Sequence, residues 1–202
     1  MRILSQRDTL SATVTGLTTG LIAWRILVFL GHALPLGIDP VVLVLLTPIA
    51  WAVGVQFGYF LGMFIRPFIQ FGKFACIGFA NAAVDFGVLY LLIGLTGLAA
   101  GIAYTVFKTI SFSVATAHSY VWNKYWAFDA GSTSAGGREL ASFLGVSVAS
   151  LLVNVGVASL VVALRPGSVP ATSWAGVSAV AGSALALIFS FTGFRVLVFR
   201  KK

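Results

Sequence analysis

Residues Lys73 to Leu95 read KFACIGFANAAVDFGVLYLLIGL, an apolar run with one cation at its start and a single carboxylate, Asp85, inside it. As a helix rising 1.5 Å per residue, this run reaches about 34 Å, enough to cross the roughly 30 Å hydrocarbon core of a bilayer. Five further apolar runs flank it. Together they fall near residues 9–32, 40–65, 73–95, 98–122, 140–163 and 172–196. The reading is an all-α integral membrane protein with six transmembrane helices. Asp39-Pro40 is a natural start for the second, with the carboxylate as N-cap and proline at the first helical position. Pro48 is expected to kink that helix.

The composition excludes a soluble fold. The chain of 202 residues is 59% hydrophobic and only 9% charged, with a mean hydropathy of +1.01. A soluble domain carries about a quarter charged residues, so this chain cannot clothe its surface in ionised groups and takes lipid as its solvent. The excess of 13 basic over 5 acidic side chains would suggest nucleic acid in a soluble protein. Here the basic residues sit between apolar runs and form no basic face, so nucleic-acid binding is not expected. Cys76 is the single cysteine, and His32 and His118 lack ligand-like spacing, so neither a disulfide framework, a metal site nor a cofactor is expected. The first apolar stretch, Thr9 to Leu34, is too long for a signal peptide and contains Arg25, so it reads as a retained helix.

The connections set the orientation. Arg2, Arg7, Arg66, Lys73, Lys124, Arg138, Arg195, Arg200, Lys201 and Lys202 fall on one side, while the alternate loops carry only Arg165. The positive-inside rule then places both termini in the cytoplasm, as a multi-pass protein of the inner (cytoplasmic) membrane. The stretch from Asp129 to Glu139 reads as a flexible cytoplasmic linker. Residues 1–66 form a two-helix extension ahead of a four-helix domain over 67–202. Gly54, Gly58 and Gly62 form a GxxxGxxxG row there that permits close helix contact.

The second half contains an internal repeat. Ser119-Tyr120-Val121-Trp122-Asn123-Lys124-Tyr125-Trp126-Ala127-Phe128 aligns with Ser190-Phe191-Thr192-Gly193-Phe194-Arg195-Val196-Leu197-Val198-Phe199. Upstream, Phe74 aligns with Phe143, Gly78 with Ser147, Asp85 with Asn154 and Gly87 with Gly156. A unit of two helices gives parallel copies, related by an axis along the membrane normal, an arrangement in which transporters place sites between repeats. Two helices that merely end on similar interfacial anchors would explain part of the same pattern.

These residues resemble the GtrA-like family of small membrane proteins. Lys73-Phe74 with Gly78, Asn81 and Asp85 looks like its opening helix. Ser119-Tyr120-x-x-Asn123-Lys124-x-Trp126-x-Phe128 looks like its most distinctive motif, and Ser190-Phe191-x-x-x-Arg195-x-x-x-Phe199 like its closing one. The resemblance covers residues 70–200. It implies a four-helix bundle and a role in moving polyprenyl-phosphate-linked sugars across the membrane for cell-surface polysaccharide synthesis.

An ionisable group at bilayer depth costs several kcal/mol unless paired or hydrated, so each one needs a reason. Asp85 should lie about 18 Å along its helix from Lys73, and Lys108 about 24 Å from Lys124, so the two are within reach. Asn154 and Arg25 are expected at a similar level. Asp85 and Lys108 alone would make an ion pair that fixes helix register. Alternatively, the excess charge of Arg25 and Lys108 over Asp85 would draw a phosphate. A second cluster comprises His118, Trp122, Asn123, Lys124, Trp126 and Arg195. It reads either as an interfacial belt or as an entrance where Lys124 and Arg195 take a phosphate while Asn123 and the indoles hold a sugar. Asn81 lies between the clusters, bridging helices or lining a path.

No nucleotide loop, carboxylate pair or nucleophile set is present, so an enzyme is not expected. The leading expectation is a flippase for a polyprenyl-phosphate-linked sugar. The alternative is a non-transporting anchor or scaffold for a membrane-associated glycosyltransferase, docking through residues 129–139 and the basic C-terminus. An exporter of small cations or drugs using Asp85 as a proton site fits less well, because the neighbouring cations repel a cationic cargo. Six helices are few for an enclosed path, and a homodimer would complete it, with the glycine row as a candidate contact.

Overall fold

The computed structural model describes residues 4–131, 136–169 and 171–199. Arg2, Arg200, Lys201 and Lys202 of the charge bias, and residues 132–135 of the expected linker, lie outside them. All six expected spans are helical, and among the described residues there is no strand. The helices are α1 (Gln6–Phe29), α2 (Leu43–Leu61), α3 (Pro67–Thr96), α4 (Gly101–Trp122), α5 (Gly137–Ala163) and α6 (Ala171–Gly193). Segments in α1, α2, α3, α5 and α6 are long and apolar enough to cross a membrane; α4, which carries Lys108 and His118, is more polar.

Local chemistry explains the boundaries. The Ser5 hydroxyl caps α1 by accepting from the Asp8 N–H. Asp39 does the same at a short 3-10 turn, Pro40–Val42, that leads into α2, accepting from the Val41 N–H at 2.8 Å; this is the expected start, with proline first. α2 runs on through Pro48. α3 stops at Gly97, whose φ of 72° is left-handed and whose N–H returns to the Ile93 carbonyl, a closure that favours glycine.

Contacts divide the chain into two compact units, residues 1–129 and 130–202. In the first, α1 packs on α2 and α3, α2 packs on α3, and α3 packs on α4. Lipid tails are as apolar as leucine, so burial does not drive such helices together; close packing and internal hydrogen bonds must. Glycines provide the approach. A Cβ on Gly16 would meet the Pro48 Cα at 2.5 Å, and one on Gly20 the Leu43 carbonyl oxygen at 2.4 Å. Between them Thr47 donates to the Gly16 carbonyl at 2.6 Å. Gly58 faces Gly72 across α2 and α3, where a Cβ on either would stand 3.1 Å from the other's Cα. The glycine row of α2 is therefore used inside the chain, against α3, and not as the open dimer contact suggested by the sequence. In the second unit, α5 and α6 pair through Gly182 against Asn154, Gly193 against Val146, and a bond from Ser150 to the Ala186 carbonyl at 2.9 Å.

Gly16→Ala should lower the thermal stability of the solubilised chain by about 1–3 kcal/mol, because its new methyl meets backbone that cannot step aside. Gly156→Ala, which meets nothing within 4 Å, should leave stability unchanged or raised, since alanine is the better helix former by about 1 kcal/mol. Thermal melts of both variants beside the parent check the contrast.

Candidate functional site

The two copies of the repeat match in local geometry. α4 and α6 each run into a five-residue π turn, Asn123–Ala127 and Phe194–Val198. The Phe128 N–H returns to the Asn123 carbonyl at 2.9 Å, and the Phe199 N–H to the Phe194 carbonyl at 2.8 Å. Phe128 then lies 6.1 Å from Phe74, and Phe199 lies 6.2 Å from Phe143. Such turns insert one residue, re-aim the side chains that follow, and frequently mark functional sites.

Their polar chemistry differs. In the first copy Asp85 accepts from Lys108 at 2.5 Å and from the Ser111 hydroxyl at 2.7 Å. In the second, the Asn154 amide donates to the Ser183 hydroxyl at a long 3.5 Å, and Gly182, in the register of Ser111, lies close against the Asn154 backbone. The charged set thus belongs to α3 and α4. It is not fully enclosed, since the Lys108 side chain is 39% exposed and that of Asp85 20%. Lys108 opens onto a depression of about 370 Å³ on α4 lined by Tyr104, Thr105, Thr109 and Phe112. The hydroxyls of Thr105 and Thr109 donate to carbonyls one turn back, which leaves their lone pairs to accept bonds from a ligand.

Further along these two helices, the Asn81 Oδ1, His118 Nδ1 and Asn123 Oδ1 atoms are buried without a hydrogen-bond partner among the described residues. Buried polar atoms demand partners, so this stretch has spare capacity for water or a polar ligand. Asn123 spends its amide on the Ser119 carbonyl, at 2.8 Å, and hydroxyl. Lys124 is buried, its ammonium 5.8 Å from the Tyr120 ring centre. The Trp122 and Trp126 rings meet edge to face at 5.8 Å. Trp126 is 2% exposed, so its faces are closed to a sugar in this conformation.

The residue that sequence reasoning missed is Asp8. Its buried carboxylate accepts from the hydroxyls of Ser5 at 2.8 Å and Tyr59 at 2.6 Å, from the Trp126 indole N–H at 3.0 Å and from the Lys73 ammonium at 2.5 Å. Next to it, Arg7 pairs with Asp129 at 2.8 Å and donates to the Tyr125 carbonyl. The Ser-x-x-Asp spacing marks a helix start in the sequence; that its carboxylate would turn inward onto three other segments is a tertiary fact.

Arg25 is not part of the Asp85 set and makes no ion pair among the described residues. It lies 5.7 Å from the Trp24 ring and lines an otherwise mostly apolar groove of about 550 Å³ between α1 and α3. Arg195, in the second unit, is exposed.

Residues 73–199 match the family described as GtrA/DPMS, transmembrane domain. A relative from Bacillus subtilis (strain 168), the uncharacterized membrane protein YngA, is 33% identical over 79 residues, covering 39% of this chain. The match spans about half, 49%, of that relative's length. No solved structure matches the chain.

The Asp85–Lys108 pair generates a quantitative expectation. Asp85→Asn and Lys108→Met should each destabilise the protein by roughly 1–3 kcal/mol by stranding a half-buried charge, with the double variant recovering most of the loss. A double-mutant cycle of thermal melts measures the coupling.

Proposed function

This chain belongs to the GtrA/DPMS transmembrane-domain family, and we propose that it translocates a polyprenyl-phosphate-linked sugar for the synthesis of cell-surface glycans. The observation that carries this reading is the half-open Asp85–Lys108–Ser111 set inside the family-matched helices. An ammonium has three donors, and Asp85 takes one from Lys108. The others can meet phosphate oxygens, while the threonine lone pairs beside it accept from sugar hydroxyls. Asp85 keeps Lys108 from standing as a bare cation in hydrocarbon, so the set tolerates the empty state. The lipid tail never leaves the bilayer; only the headgroup needs polar company. The unsatisfied Asn81, His118 and Asn123 atoms supply that company along α3 and α4. In this reading the protein is a multi-pass, non-catalytic component of the inner membrane. The charge bias directs both termini to the cytoplasm, and the exposed Arg195 offers a first contact to an anionic headgroup.

The test reconstitutes the full chain in proteoliposomes with a defined polyprenyl-phosphate sugar and follows headgroup accessibility with time. Lys108→Ala and Asp85→Asn should slow translocation at least tenfold while leaving the protein folded. Normal rates in both variants would refute the groove. Absence of translocation by the parent chain, with a glycosyltransferase retained on the membrane, would favour the scaffold reading instead.

A further inference from the structure

Lys73 and Trp126 belong to the family-matched residues, whereas Asp8 and Tyr59 belong to the helices before them. The four meet where α1 begins, α2 ends, α3 begins and α4 has turned into its π turn. Viewed from the carboxylate, the Lys73 ammonium and the Trp126 indole N–H meet Oδ1 at 2.5 and 3.0 Å, and the Tyr59 hydroxyl meets Oδ2 at 2.6 Å. Three donors of different geometry aimed at one oxyanion form a receptor for an oxyanion in general, not for aspartate in particular. Among the described residues, the second copy offers no such receptor. In its register Ser142 stands for Lys73 and Leu197 for Trp126, and Leu197 is 68% exposed.

We propose that the Lys73–Tyr59–Trp126 cradle is a phosphate-ester site whose occupant in this conformation is the chain's own Asp8, and that an arriving headgroup displaces it by moving the first turn of α1. The inference rests on the translocation reading for the identity of the ligand. The physical constraint is exchange: Lys73 is largely buried, with its side chain 13% exposed, so its charge cannot be left unpaired, and only another anion can relieve Asp8. The turn that must move is held on its exposed side by Arg7, which pairs with Asp129 and donates to the Tyr125 carbonyl; the exposed ion pair is weak in water and easily broken. Once the turn is lifted, Trp126 is released from Asp8, and the π turn carrying Asn123 and Lys124 loses its tie to α1.

The test uses the full chain in detergent, with calorimetric titration of a short-chain phosphatidic acid, of inorganic phosphate, and of a short-chain diacylglycerol as the phosphate-free, uncharged comparison. An internal carboxylate competes at about millimolar effective concentration or above, so Asp8→Ala should bind phosphatidic acid at least tenfold more tightly than the parent. Adding Lys73→Gln should abolish the gain. A gain shared by inorganic phosphate assigns the site to the phosphate group alone, and a gain confined to the lipid assigns it to the whole headgroup. No gain, or one that survives Lys73→Gln, overturns the proposal. Should Asp8→Ala fail to fold, Arg7→Cys and Asp129→Cys in a Cys76→Ala background can be bridged by a bis-maleimide to pin the turn. Phosphatidic acid affinity should then fall at least tenfold on crosslinking, and an unchanged affinity overturns the idea. Binding is read without any transport step. A protein that shows the gain but never translocates keeps the cradle and loses only the carrier reading.

Discussion

A carboxylate taken out of water has to find donors, and Asp8 finds them on four segments. Ser5 belongs to its own helix start, Tyr59 to α2, Lys73 to α3 and Trp126 to the π turn after α4. Asp8, Lys73 and Trp126 are buried or largely so, and none of the three can lose its partner without a replacement and avoid leaving a charge or a polar hydrogen in an apolar interior, a loss of about 3–5 kcal/mol for a broken buried pair. The consequence is mechanical. The two helices that precede the family-matched residues are tied to those residues by charge as well as by packing.

Packing obeys the same solvent. Where lipid competes equally for every leucine, helices adhere by approaching until backbone meets backbone. Gly16 and Gly20 let α1 close on the turn around Thr47 and Pro48, and Gly58 and Gly72 let α2 close on α3. The large apolar side chains, by contrast, point outward in number: Leu45, Phe64, Leu95 and Ile102 are all more than two-thirds exposed. The exterior carries large apolar side chains, while the interior mixes small and polar residues with buried rings such as Phe74, Phe128, Phe143 and Phe194.

The duplicated helix pair separates frame from chemistry. Both copies keep the π turn and the phenylalanine contact behind it. Among the described residues, the first copy alone has an ion pair at the Asp85 position. Asn154 in place of Asp85 and Gly182 in the register of Ser111 make the second copy neutral at these positions. A second buried charge pair would add a further desolvation cost.

The sequence by itself determined the solvent, the number of helices and the repeat, because hydropathy and local spacing are properties of neighbours along the chain. It also foresaw that Asp85 and Lys108 could meet, since helical rise converts residue counts into depth. It could not say which face each helix turns inward. Depth alone therefore grouped Arg25 with Asp85, and the tertiary structure gives Arg25 a groove of its own between α1 and α3. Composition likewise left Lys73 as an interfacial marker and Trp126 as an open stacking surface. Only the folded chain, by bringing residue 8 to residues 59, 73 and 126, decided that both are committed to one buried carboxylate. Contacts across more than a hundred residues are set by rotation and packing, and neither quantity is written in local pattern.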